Sequence, residues 1–107
     1  MDCMFNTMRC QMTHDELLEK WTSLFTDDEG DRSLHYLEIP EEWYPLINTL
    51  CHLIDGYLKR EPDACPLYVV QIKEKFGGLR FYYVGGDKYI EGLVAMAEAY
   101  SYELLKK

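Results

Sequence analysis

The sequence predicts an α+β domain in which helices pack on one face of a small antiparallel hairpin sheet, in the order helix, helix, strand, strand, helix. Three observations carry this. Two strand-like runs flank the pair Gly77-Gly78. Apolar residues recur by threes and fours over 43–58 and again over 90–105. The 107 residues, 48% hydrophobic and 28% charged, suit one domain with one core.

The elements follow in chain order. Met1 to Met12 has no basic head leading into an apolar stretch, so it reads as a flexible segment rather than a secretory signal, with the folded domain over 13–107. Thr13 and Glu16 have capping-box spacing, and Leu17, Trp21 and Leu24 follow at helical intervals, which predicts a helix over 14–25. Asp27, Asp28, Glu29 and Asp31 put four acids in five positions, a solvated loop. Residues 34–39 offer a short edge strand or an extended lead-in. Pro40 suits a helix start, and Trp43, Ile47, Leu50, Ile54, Tyr57 and Leu58 form a stripe on a helix over 41–60. Pro62 and Pro66 hold the next segment as a loop. Asp87 caps a last helix over 88–106, with Ile90, Leu93, Val94, Ala97, Tyr100, Leu104 and Leu105 toward the core.

The hairpin spans Leu67 to Val84. Taking Gly77-Gly78 as its two-residue turn sets Phe76 opposite Leu79, Lys75 opposite Arg80 and Ile72 opposite Tyr83. Tyr68, Val70, Ile72, Phe76, Leu79, Phe81 and Tyr83 then face the core, while Gln71, Lys73, Lys75, Arg80 and Tyr82 face outward. Glu74 falls on the apolar side. It is expected at the periphery, or paired with Lys59, Arg60 or His52; the other reading, an acid with a raised pKa, has no second catalytic group beside it in sequence.

Charge is unevenly spread. The total is −8; residues 1–63 hold 14 acids and 5 bases, residues 64–107 hold 5 acids and 6 bases. An acidic body is repelled by phosphate backbones, so nucleic acid is not the first-choice partner. Two candidate partner-binding surfaces emerge. One is acidic: Asp27, Asp28, Glu29, Asp31, Glu38, Glu41 and Glu42, suited to a basic groove on another protein or simply to keeping the domain soluble. The other is the hairpin face of Lys73, Lys75, Arg80 and Tyr82. Cys3, Cys10, Cys51 and Cys65 form no Cys-x-x-Cys pair, and His14, His35 and His52 show no zinc spacing, so no metal or cofactor is expected and the thiols read as reduced and cytoplasmic. Cys51 and His52 are neighbours on a predicted helix and point about 100° apart, which disfavours a catalytic dyad. No run is long and apolar enough to span a membrane.

The stretch Val70 to Tyr83, with its Lys-Glu-Lys-Phe-Gly-Gly-Leu-Arg-Phe-Tyr core, resembles a family of small uncharacterised phage and prophage proteins. The resemblance extends over residues 38–102, taking in Trp43-Tyr44-Pro45-Leu46-Ile47 before the hairpin and the helix of Ala97-Glu98-Ala99 after it. Many relatives continue into a Cys-x-x-Cys-Gly element resembling half a zinc ribbon; this chain instead runs Tyr102-Glu103-Leu104-Leu105-Lys106-Lys107, so no metal role carries over. The resemblance implies a phage or prophage setting and supplies no activity. The expected function is therefore non-enzymatic: an acidic protein, monomeric or homodimeric, that binds a bacterial host protein or defence complex and occludes its nucleic-acid groove as anti-CRISPR proteins do. A nucleic-acid accessory role for the hairpin face is the alternative.

Overall fold

The computed structural model describes residues 12–105. The proposed flexible segment 1–12 lies outside them except for Met12. Among the described residues the α-helices and strands are α1 (His14–Lys20), β1 (Leu37–Glu38), α2 (Tyr44–Arg60), β2 (Leu67–Lys75), β3 (Gly78–Gly85) and α3 (Lys88–Leu105). The fold class is α+β. The sheet is mixed rather than purely antiparallel, because β1 joins β2 in parallel and gives the order β1-β2-β3.

The first helix is shorter than its spacing suggested. The Thr13–Glu16 capping box forms as read, yet α1 stops at Lys20 and a 3-10 turn, Thr22–Phe25, carries Leu24 and Phe25 into the core. The helix expected over 41–60 likewise opens with a 3-10 turn, Glu41–Trp43, and Pro45 sits in the first turn of α2, where its missing N–H has no helical partner to lose. β1 is fastened from its outer side: the Leu37 N–H donates to Nε2 of His14 at 2.8 Å. A backbone N–H can only donate, so Nε2 bears no proton, and Nδ1 meets the Asp15 carboxylate at 3.0 Å.

The turn sits one residue earlier than expected, so the hairpin register is shifted by two residues and the two faces are kept. Lys75 pairs with Gly78, Glu74 with Leu79, Lys73 with Arg80 and Ile72 with Phe81. The turn residues are Phe76 and Gly77, both at positive φ (55° and 82°), the combination that type I′ turns require. Gly78 is instead the first residue of β3, and it is a glycine for packing: the Tyr102 ring from α3 occupies the space where a side chain would project. Phe76, expected inside, is 84% exposed.

A second correction lies further along β2. Val69 pairs with Tyr83 and Gln71 with Tyr82, so Val70 is an extra, bulged residue. Counting straight through it inverts the phase, which is why simple alternation points Val70 and Tyr68 inward. In fact Leu67, Val69 and Ile72 are buried, Tyr68 is half-buried and Val70 is exposed.

The core gathers Leu17, Phe25, Trp43, Ile47, Ile54, Val69, Ile72, Leu79, Phe81 and Ile90 among others, and so draws on every helix and all three strands. In α3 the buried stripe is Ile90, Val94, Ala97 and Ser101; Tyr100, expected in it, is half exposed. Ser101 is fully buried because it has a task. Its Oγ accepts the Leu79 N–H at 2.8 Å, and Glu98 accepts the Phe81 N–H at 2.9 Å. These N–H groups lie on the edge of β3 away from β2, so α3 closes that edge with side chains.

Replacing Ser101 by Ala strands the buried Leu79 N–H. The expected loss is about 1–3 kcal/mol in urea unfolding, with faster hydrogen exchange at the Leu79 amide. Phe76→Asn should act in the opposite direction. A left-handed backbone conformation costs a bulky L-residue roughly 1–2 kcal/mol, and Asn tolerates it, so thermal unfolding should shift upward by the equivalent of about 1 kcal/mol.

Candidate functional site

The acidic stretch divides into two places. The loop between Phe25 and Ser33 is a tight excursion closed by pairing of Thr26 with Arg32 and by the Ser33 N–H on the Phe25 carbonyl at 2.8 Å. Asp27 is the loop's own staple: its Oδ1 accepts the N–H groups of Glu29 and Asp31, each at 2.9 Å. Asp28, Glu29 and Asp31 are exposed. Arg32, the only cation in the stretch, turns inward, donating to the Leu34 carbonyl at 2.9 Å and the Leu18 carbonyl at 3.3 Å. Its charge therefore serves backbone carbonyls rather than the three neighbouring carboxylates. Nothing in sequence spacing signals this, because Arg32 reads there as an ordinary loop cation.

Glu38, Glu41 and Glu42 are exposed beside the β1 edge and at the start of the 3-10 turn before α2. Glu41 and Asp15 lie close enough to Tyr44 to help raise the pKa of its hydroxyl, after partial burial, which is the larger cause. A cleft of about 480 Å³ opens nearby, lined by Tyr36, Glu38, Ile39, Pro40, Glu74 and Leu105. Two carboxylates, a phenol and apolar walls suit a cationic side chain with an aliphatic stem.

The hairpin cluster forms a row on the outer face of the sheet. Lys73 and Arg80 are directly paired, and Glu38 is in register with Lys73 on the other side, so the row reads acid, base, base. Lys73 and Arg80 are half-buried, Lys75 is exposed and Tyr82 is 42% exposed. Arg80 also donates to the Leu79 carbonyl at 3.1 Å and meets the Tyr102 hydroxyl at 3.3 Å. The two surfaces inferred separately from the sequence thus meet at Glu38 and Lys73. Beside them Phe76 projects from the hairpin tip with the Lys75 ammonium 5.7 Å from its ring centre.

Three acids and one thiol that the sequence singles out or the fold brings forward have structural roles or are buried. Glu74 accepts the Gly77 N–H at 2.6 Å and braces the turn; it pairs with neither Lys59, which meets Asp55 at 2.9 Å, nor Arg60 nor His52. Burial, reinforced by Asp55, pushes the Cys51 thiol far up, so it stays protonated and unreactive, while Cys65 is exposed. Asp87 caps α3 through the Ile90 N–H at 3.2 Å and accepts the Tyr57 hydroxyl at 2.7 Å. Among the described residues no three of His, Cys, Asp and Glu converge as metal ligands, and no helix is long and apolar enough to cross a membrane. Compared with family models, curated proteins and solved structures, the chain matches none.

The Tyr57 hydroxyl, followed by N–H groups at the start of α3 and at Cys65, holds the Asp87 carboxyl below the usual carboxylate range against the opposing effect of desolvation. Its stabilisation is complete above the unfolded carboxylate's pKa and is lost as pH falls through the depressed folded value. Tyr57→Phe should therefore be less stable at neutral pH and lose less on acidification, which urea midpoints from neutral to acid buffer will read.

Proposed function

We propose that the chain is a non-enzymatic protein-interaction module that docks its acidic surface on a basic protein surface. The observation that carries this is the orientation of Arg32: turned onto the Leu18 and Leu34 carbonyls, it leaves Asp28, Glu29 and Asp31 displayed without their neighbouring cation. The cleft lined in part by Glu38, Glu74 and Tyr36 supports the same partner chemistry, since those residue types suit a lysine or arginine. The resemblance of the hairpin motif to phage and prophage proteins makes the partner a bacterial one, met in the cytoplasm. A basic, nucleic-acid-binding groove of a defence complex is the surface such an acidic body would block.

A nucleic-acid role for the hairpin face is favoured by one observation, the direct pairing of Lys73 with Arg80 beside Tyr82. Glu38 in the same row opposes it, as does the overall charge of −8.

Capture from a bacterial lysate on the immobilised chain tests the first reading. The expected result is a protein retained at low salt, released as salt rises, and lost when Asp28, Glu29 and Asp31 are all changed to Lys. Asp27 is left intact because it holds the loop together. Retention that survives the triple reversal overturns the acidic mechanism. A low-salt gel shift of an oligonucleotide that is abolished by Lys73→Glu with Arg80→Glu would establish the second reading instead.

A further inference from the structure

The edge strand β1 is two residues long, and its ladder with β2 runs through Leu37–Ile72 and Glu38–Lys73. Its other side rests on a histidine. The Leu37 N–H donates to Nε2 of His14 at 2.8 Å, and Nδ1 meets Oδ1 of Asp15 at 3.0 Å. The Leu37 bond needs a lone pair on Nε2, so it exists only with a neutral ring that carries its proton on Nδ1. A second proton goes to Nε2, and two N–H groups then point at each other. Turning the ring over does not restore the bond, because it presents Cε1 to Leu37 and takes Nδ1 away from Asp15. Leu37 is 1% exposed, so its amide reaches water only if the strand moves.

The groups that face the ring do not oppose a positive charge. They are Asp15 on α1, Tyr36 from the lead-in to β1 with ring centres 4.4 Å apart, and Tyr44 at the start of α2, 6.4 Å away, with Glu41 near Tyr44. None of these is a cation. A charged His14 keeps Asp15 and the Tyr36 ring, and what it gives up is the Leu37 N–H. The side chain is 21% exposed, so protons reach it from water.

We propose that His14 is a pH-operated latch on β1. While the ring is neutral it holds Leu37; once the ring is charged the latch opens and the segment 36–40 comes loose from α1. Tyr36 to Pro40 supply most of the lining of the cleft, so the proton alters the cleft as well. Histidine is the side chain whose ordinary titration lies between about pH 5 and 8, which makes it the usual sensor of mild acid. The latch is a property of the fold and does not depend on what the cleft binds.

Nuclear magnetic resonance of the labelled full chain over a pH series is the test. The ring nitrogens report the proton state and tautomer of His14, with His35 and His52 as internal controls. At high pH His14 should carry its proton on Nδ1. As the ring charges, the Leu37 amide should titrate with the same midpoint, and its exchange protection, corrected for intrinsic pH dependence, should fall about tenfold or more. The amides of Tyr36, Glu38 and Ile39 should shift with it. His14→Gln keeps an acceptor at the position of Nε2 and does not titrate, so Leu37 should stay protected throughout the same range. A ring proton on Nε2 at high pH, a His14 that stays neutral until the chain unfolds, a Leu37 amide indifferent to the charge on His14, or the same pH response in His14→Gln would each overturn the proposal.

Discussion

Two hydrogen bonds from α3 to the rim of β3 set the terms for much of the molecule. A three-stranded sheet has two raw edges, and unpaired N–H groups on an edge must find water or a partner. Here Ser101 and Glu98 supply the partners for Leu79 and Phe81. That fixes the height and rotation of α3 along β3. Once the helix is so placed, Ile90, Val94 and Ala97 point into the core and Tyr102 covers Gly78, where a larger residue would collide. The opposite edge needs less, because β1 is two residues long and His14 takes its outward N–H.

Much of this was legible in the residues. The Thr13–Glu16 box, the helix begun near Pro40, the cap at Asp87 and the inward set Ile72, Leu79, Phe81 and Tyr83 rest on local rules, and local rules held. The misreadings share a cause: each depended on a distant residue. Gly78 looked like a turn glycine until Tyr102, 24 positions on, explained its missing side chain. Val70 looked inward because a bulge leaves no mark in the spacing of a strand rich in apolar residues. Glu74 looked misplaced on an apolar face, whereas the shifted turn brings it to the Gly77 N–H. Ser101 carries no signal in sequence, because polarity on a helix reads as solvent-facing and only the rim of β3 makes it an interior residue.

The candidate surfaces follow the same division. The identities of the exposed acids came from composition, but the inward turn of Arg32 and the placing of Glu38 and Glu74 along one cleft are products of folding. Asp87, Glu74 and Glu98 are bound into a cap, a turn and a strand rim, and Cys51 is buried and protonated. The surface displays a carboxylate-bearing loop, an acid–base row on the open side of the sheet, and an aromatic ring held out at the hairpin tip.

The bulge in β2 has one more implication, for how this chain can change length. A single-residue deletion in a strand usually turns everything beyond it inside out. Val70 is outside the pairing scheme: Val69 already faces Tyr83 and Gln71 already faces Tyr82, so excising it leaves every partnership on both sides as it stands. β2 therefore tolerates a gap at one position and nowhere else along its interior. Related sequences one residue shorter in this strand should be aligned with their gap at 70, where the ladder does not count the residue.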